Sequence, residues 1–333
     1  MRWALVGAST IAEQFMIDAL RATGQDVAIV VSTSAARAKD FASAQGIAAA
    51  TTDLKAALAD PAIEAVYISS TNEKHFAQAM AAIGAGKHVL CEKPLGMTLD
   101  EATRMVRAAE AANLVFATNH HLRCSGSHRA VRDLILAGRV GRVLSLRLFH
   151  AVHLPENLRG WRINDAGAGG GVIPDIAVHD ADVVRFLLDE DPVTVVAQST
   201  SSGMGEGVED SAMSVWSMPS GTMVFSHESF THPFAGSGLE VHGTEGSIFA
   251  RGVMTQQPVG EIELVTKAGR EAVPYSPHNL YVQAVRQFAD AVAGKGQVAA
   301  SGRDGIKSLA VALAVRDAAR TGSRLHVTYG DLA

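Results

Sequence analysis

Cysteine is scarce in this chain: Cys91 and Cys124 are the whole complement of a 333-residue sequence. No disulfide framework can be argued from one pair, so a reducing compartment, the cytoplasm, is expected. Long hydrophobic runs are missing as well. No apolar stretch approaches the roughly 20 residues a membrane span requires, and the N-terminus enters a strand and turn too promptly for a cleaved signal. Charge of one sign is also missing. Lys and Arg total 29 against 34 Asp and Glu, and a net charge of -5 recommends neither nucleic acid nor an anionic membrane as partner. Internal repeats and low-complexity tracts are absent. What remains is a chain 47% hydrophobic, long enough for two domains with substantial cores.

Over about the first 120 residues, short apolar strands alternate with helical patterns, which predicts a parallel sheet covered on both faces. Strands are expected at Val27–Val31, Ala65–Ser69, His88–Cys91 and Val115–Thr118, with helices at Ala35–Gln45, Lys74–Gly86 and Leu99–Ala112. From Arg142 onward the pattern changes to strands rich in alternation, at Val143–Phe149, Val193–Ser199, Ala212–Ser217, Thr222–His227, Gly238–His242 and Glu261–Val265. This block predicts a large, mostly antiparallel sheet with one face packed. Helices at Leu280–Ala293 and Gly305–Thr321 close the chain, and the run Gly167–Gly171 is expected to be its most mobile segment. The expected organisation is α/β: a parallel-sheet domain over 1–120 and an α+β domain over 121–333.

The first strand, Trp3-Ala4-Leu5-Val6, runs into Gly7-Ala8-Ser9-Thr10-Ile11-Ala12 and then an amphipathic helix to Leu20. Strand, tight turn and helix in that order are what a dinucleotide fingerprint needs, because glycine lets backbone approach the pyrophosphate and the helix N-terminus offers N–H groups and a favourable dipole. Gly7 fills the first glycine position, Ser9 the second and Ala12 the third. Ser9 either holds a phosphate at a distance or donates its hydroxyl to it; donation is the expectation, since Thr10 continues the polar rim. An ordinary strand-turn-helix without ligand is the bland alternative.

At the end of the second strand, where an acid would select NAD through the ribose 2′-hydroxyl, the chain has Ser32, Thr33 and Ser34, then Arg37. Hydroxyls and a guanidinium suit a 2′-phosphate, so NADP(H) is the expected cofactor; solvated charges in a first helical turn are the competing reading of Arg37. Ser70, Thr71, Asn72 and His75 follow the next strand and are placed to flank the cofactor, or else are a helix cap and a surface histidine.

Glu92-Lys93-Pro94 ends a further strand at the same sheet edge. A lysine there can stabilise charge developing on a carbonyl oxygen, where a surface turn would be the mundane alternative. In Gly169-Gly170-Gly171-Val172-Ile173-Pro174-Asp175-Ile176-Ala177-Val178-His179-Asp180-Ala181-Asp182, a helix after Pro174 would set Asp175, His179 and Asp182 on neighbouring parts of one face. A histidine beside a carboxylate can move a proton near neutral pH. No ligand set is spaced for zinc, and no metal is expected. Asn119 before the tandem His120-His121, Trp161-Arg162 and Tyr281 are further candidates, with Trp161 equally readable as a packed loop anchor.

Glu92-Lys93-Pro94 together with the triple-glycine, Asp175, His179, Asp182 run resembles the glucose-fructose oxidoreductase, inositol dehydrogenase and MocA family over nearly the whole chain. The resemblance implies an N-terminal Rossmann domain and a C-terminal open-sheet domain. It maps the family's lysine, aspartate and histidine onto Lys93, Asp175 and His179 as catalytic residues. It implies reduction of the 2-keto group of a sugar by NADPH, with Glu92, Lys93, Asn119, Trp161, Arg162 and Tyr281 expected among the cofactor contacts. An NAD-dependent sugar or cyclitol dehydrogenase and a non-catalytic NADP and sugar sensor remain the rivals. The oligomeric state, monomer or homodimer, stays open.

Overall fold

The computed structural model describes residues 1–331 and divides into two compact units. Met1–His121 and Tyr281–Ile306 form the first, and Leu122–Leu280 with Lys307–Asp331 the second. The expected division into 1–120 and 121–333 thus differs at Tyr281–Ile306, which returns to the first unit.

The first unit is built on a parallel sheet of six strands: β1 (Arg2–Val6), β2 (Asp26–Val31), β3 (Ala49–Thr51), β4 (Ala65–Ile68), β5 (His88–Cys91) and β6 (Phe116–Thr118). Their spatial order is β3-β2-β1-β4-β5-β6, the doubly wound arrangement in which the direction of winding reverses beside β1. Trp3 to Val6 and all of β4 are buried, as strands with helices on both faces must be. The intervening helices are α1 (Ile17–Ala22), α2 (Ala35–Gln45), α3 (Leu54–Leu58), α4 (His75–Gly84) and α5 (Leu99–Ala111). Their ends are written locally. Ser34 caps α2, which Gly46 ends at a φ of +61°; Thr98 and Glu101 cap α5 reciprocally. A stretch of π-helix, Ala12–Met16, precedes α1, so the expected helix from Thr10 is not uniformly α. β3 and α3 went unforeseen. Ala49-Ala50-Thr51 has no β-branched run, and it is a strand because it pairs with Ile29 to Val31.

In the second unit come α6 (Gly126–Leu136), β7 (Val143–Ala151), α7 (Trp161–Asn164), α8 (Val178–Leu188), β8 (Thr194–Thr200), β9 (Ser211–Ser217), β10 (Met223–Ser229), β11 (Ser237–Gly243), β12 (Gly246–Arg251), β13 (Glu261–Thr266), β14 (Gly269–Ala272) and β15 (Leu325–His326). Among the described residues its nine strands run β14-β13-β12-β11-β7-β10-β9-β8-β15, and only the β7–β10 pair is parallel. Helices α6 and α8 pack on one face. The other carries half-buried and exposed apolar side chains, Phe149, Val196, Met213, Val215, Met223 and Phe225. α9 (Leu280–Val292) belongs to the first unit from Tyr281 onward, and a second boundary between units falls within α10 (Gly302–Thr321). Among the described residues no helix is long and apolar enough to cross a membrane.

Candidate active site

In the first unit, the candidate residues gather at the carboxyl ends of β1, β2, β4 and β5. Gly7 has a φ of +116°, and a Cβ there would lie 2.8 Å from the Ser69 carbonyl carbon and the Ser70 nitrogen. Only glycine lets the β1 turn pass that close to the strand beside it. Ser9 Oγ accepts from the Ala12 N–H at 3.2 Å and donates to Ser69 Oγ at 2.7 Å. Its hydroxyl proton, expected to be offered to a phosphate, is here directed at Ser69, and the serine works as a helix cap. The donors available to an anion are the first N–H groups of the helix opened by Thr10 and Ile11, which have no intrahelical acceptors. Arg37 lies across the same turn, donating to the Ala8 carbonyl through Nη2 at 2.6 Å and Nε at 3.2 Å. Those bonds use two of its five donor hydrogens. Half-buried Ser32 and exposed Thr33 stand beside it.

His75 is neither a surface residue nor aimed at open space. It is fully buried, with Nδ1 at 2.8 Å from the Pro94 carbonyl and Nε2 at 3.2 Å from that of Ser70, and burial pushes its pKa down despite those two carbonyls. The ring is a strut between the loop after β4 and the turn after β5. In that first loop Ser70 donates to Gln78, Thr71 to Glu73, and Asn72 is buried. Glu92 likewise faces inward. Tyr67 Oη and Asn119 Nδ2 both donate to its Oε1 at 2.6 Å, and burial raises its pKa against the pull of those bonds and of Lys93. Glu92 and Asn119 therefore form a buried post beneath half-buried Lys93, whose peptide bond to Pro94 is cis. Tyr281 is sandwiched between Phe15 and His121, with ring centroids 5.0 and 5.2 Å away.

The second unit holds the other candidates. The Arg162 guanidinium lies 4.7 Å from the Trp161 ring centroid, and its Nε is 3.3 Å from Asp175 Oδ2. Trp161, Arg162 and Asp175 are thereby one cluster. The glycine run that joins them is packed rather than loose: Gly170 donates to the Asp165 carbonyl and Gly171 to that of Arg162. A Cβ on Gly170 would stand 2.4 Å from the Trp161 carbonyl oxygen. Around Pro174 the chain is π-helical, over Ile173–Ala177, before α8 begins. A π turn closes i→i+5, so Asp175 and His179 are not one α-helical turn apart as the uniform helix predicted. Asp182, expected beside His179, is gripped by Arg123, whose Nε and Nη2 donate to its two oxygens at 2.8 and 2.7 Å. His179 is buried and its ring lies 6.3 Å from that of His150. His150 Nδ1 is in turn 2.9 Å from Asp180 Oδ1.

Family models match both parts of the chain. Residues 1–120 fit an oxidoreductase family described by an NAD-binding Rossmann fold, and residues 128–249 fit the GFO/IDH/MocA C-terminal domain. The chain belongs to the GFO/IDH/MocA oxidoreductase family. It is 52% identical, over 330 residues and 99% of both chains, to a 1,5-anhydro-D-fructose reductase of Ensifer adhaerens. An inositol 2-dehydrogenase of Rhizobium meliloti (strain 1021) is 28% identical over 96% of this chain and 97% of its own. The crystal structure of an aldose-aldose oxidoreductase from Caulobacter crescentus shares the fold with a TM-score of 0.89 at 23% identity, covering 98% of this chain and 99% of that one.

For a GFO/IDH/MocA enzyme, several residues of consequence were not found by sequence reasoning. Tyr67 sits inside an apolar strand and gave no signal. Asp180 adjoins His179 and was passed over because helical spacing drew attention to Asp175 and Asp182. Ser226 and Glu228 occupy inward positions of β10 where alternation calls for apolar residues. Two polar residues on the packed face of a strand were the legible sign.

Proposed function

We propose that this oxidoreductase is an NADPH-dependent reductase that acts on the 2-keto group of a sugar and converts 1,5-anhydro-D-fructose to 1,5-anhydro-D-mannitol. The identity of 52% over 99% of both chains to a reductase of that sugar carries the reading. The first unit fits the cofactor: at Gly7 a Cβ would fill the space where backbone must come close, and no acid stands among Ser32, Thr33 and Ser34 at the end of β2. When bound, NADPH supplies the hydride. Gly7 to Ala12 would hold the pyrophosphate against the helix N-terminus. Ser32, Thr33 and Arg37 would hold the 2′-phosphate, Arg37 with the donor hydrogens it does not spend on Ala8.

The loop of Ser70, Thr71 and Asn72 would flank the cofactor, with Trp161, Arg162 and Tyr281 toward the nicotinamide; His75, Glu92 and Asn119 serve as supports. Lys93 stabilises the oxygen as it gains charge, and His179 gives that oxygen its proton. Asp175, held by Arg162, accepts from a substrate hydroxyl. The bond order of the carbonyl falls by one as carbon gains hydride and oxygen gains a proton, which leaves an alcohol. A cytoplasmic location accords with two buried cysteines that form no disulfide.

The test is an absorbance assay of reduced-nicotinamide consumption, with NADPH and NADH against a panel of keto sugars and dicarbonyls. Fastest turnover is expected with NADPH and 1,5-anhydro-D-fructose, and Lys93→Ala and His179→Ala are expected to lower kcat by about 10² to 10⁴ with little change in NADPH Kd. Turnover confined to NAD and a cyclitol or aldose would overturn the proposal. So would ligand binding with no turnover and small, equal effects of the two substitutions, the signature of a sensor.

A further inference from the structure

Behind His179 the second unit buries more ionisable chemistry than its fold needs. β7 and β10 are parallel neighbours with His150 directly opposite Glu228, and Ser226, two residues earlier, shares the face of Glu228. Helix α8 lays Asp180 on that face. Asp180, Ser226 and Glu228 are all fully buried. Ser226 Oγ is 3.1 Å from Asp180 Oδ2 and 2.5 Å from Glu228 Oε1, while Asp180 Oδ1 is 2.9 Å from His150 Nδ1. The four side chains form one hydrogen-bonded file.

Hydrogens can be counted along it. A hydroxyl has a single proton to donate, yet Ser226 lies within bonding distance of two carboxyl groups. If both carboxyls were ionised, one of those contacts would hold two oxygens and no hydrogen. The count closes when Glu228 carries a proton, whether it goes to Ser226 or directly to Asp180, with which the Glu228 carboxyl also hydrogen-bonds, and Asp180 is the ionised member. Burial pushes the Glu228 carboxyl well above the usual range, and the Asp180 charge adds to the effect. Asp180 then accepts from His150 Nδ1–H, which leaves His150 Nε2 as the nitrogen able to take up or give a proton. His150 is also the member with a route to solvent, since its side chain is 13% exposed against 0% for Asp180.

We propose that His150, Asp180, Ser226 and Glu228 form a positioning and proton-resupply file that fixes the tautomer of His150 and, through it, sets the protonation of His179. The idea rests on the reductase reading for its catalytic consequence and on geometry alone for its tautomer. Once His179 has given its proton to the substrate oxygen, a protonated His150 passes Nε2–H to it, directly or through one water. His150 is left neutral with Nδ1–H still on Asp180, and it recovers a proton from solvent. Glu228 keeps its proton throughout and acts as the neutral donor that leaves Asp180 as the single charge.

The groups facing this pair are few. From α8 come Asp180 and Asp182, the latter neutralised by Arg123; from α6 comes His128, and from β10 comes Glu228, while His227 points from the opposite face of β10 yet lies within electrostatic reach of Asp180. Asp175, paired with Arg162, precedes His179 in the chain.

The experiment uses the full-length protein without ligand, with nitrogen-15 NMR reading the tautomer of His150 and the titration midpoint of His179. Asp180→Asn is expected to switch the His150 tautomer and move the His179 midpoint, whereas Glu228→Gln, which mimics the neutral acid, preserves the tautomer. His150→Gln should also move the His179 midpoint and serves as the second arm if Asp180→Asn does not fold. In turnover, Asp180→Asn should lower kcat about 10-fold or more and displace its pH profile while the NADPH Kd holds. An unmoved His179 midpoint in Asp180→Asn or His150→Gln would overturn the proposal, as would a Glu228→Gln spectrum matching that of Asp180→Asn. A protein inactive on every keto sugar that still shows the tautomer switch would sink the reductase reading and leave the file standing.

Discussion

Ser9 shows how far a single position can depart from a glycine fingerprint and leave the turn intact. Its side chain caps the following helix and ties β1 to β4 through Ser69, two roles a glycine cannot fill, while Gly7 alone bears the requirement for close approach. In the proposed function, cofactor choice also rests on single side chains, at the end of β2. Ser32→Asp would put a carboxylate beside the proposed 2′-phosphate site, where repulsion replaces donation. The preference for NADPH over NADH, taken as the ratio of kcat/KM values, is expected to fall by about 10- to 100-fold, the equivalent of one charge-assisted bond. An unchanged ratio would remove Ser32 from the pocket. The types of Gly7, Lys93 and His179 were legible because each stands in a local motif. The meeting of side chains beneath Lys93 was not. Tyr67 and Asn119, which meet on Glu92, stand 25 and 27 positions from it in the chain, and no local pattern records that meeting.

At the scale of elements, the alternating strands of the second unit announce themselves, and the expected spans at Val143, Val193, Ala212, Thr222, Gly238 and Glu261 all lie within or beside observed strands. The elements that escaped notice share a physical cause. The buried face of α6 is Gly126, Ser127, His128 and Val131, too polar to make a hydrophobic stripe. β14 is exposed along its length and exists by pairing with β13. Both π-helical stretches also lay beyond reach, since apolar spacing does not separate a π turn from an α turn. The glycine run was legible as special and misjudged in kind: its glycines answer to close packing. In Gly170→Ala the new methyl would meet the carbonyl oxygens of Trp161 at 2.4 Å and Asp165 at 2.8 Å. Displacement of α7 should cost about 1–3 kcal/mol, seen as a lowered midpoint in chemical denaturation, and weaken NADPH binding; a variant with the wild-type midpoint would mean that the loop yields freely.

Over the whole molecule, stability against acid is set by groups buried in forms that resist protonation. Burial first, and then His150, push His128 from its ordinary 6.5 to about 3. Between those values the unfolded chain binds a proton that the folded chain refuses, so stability falls as pH falls, with a slope approaching ~1.4 kcal/mol per pH unit. Asp210 acts further down the scale. Burial works against its charge, yet the N–H groups of Gly205, Ser202 and Met204 hold its pKa at about 2, so its contribution stands intact above 3.8 and fades as pH falls toward 2. Loss of stability should therefore begin in the histidine range, below pH 6.5. Denaturation midpoints measured across that range are expected to fall less steeply in His128→Asn than in the parent, and equal slopes would clear His128.

The sequence by itself determined the two architectures and the residue types of the chemistry. Buried parallel strands, alternating antiparallel strands, a turn glycine and a lysine before proline are each dictated within a few residues by sterics, hydrogen bonding and hydrophobic period. Tertiary structure alone decided which polar groups are shielded together. It returned Tyr281–Ile306 to the first unit and set Asp182 on Arg123. It also stacked Asp180, Ser226 and Glu228 behind His150. Such meetings depend on the desolvation of groups far apart in the chain, a cost and a compensation that exist only once the elements have packed.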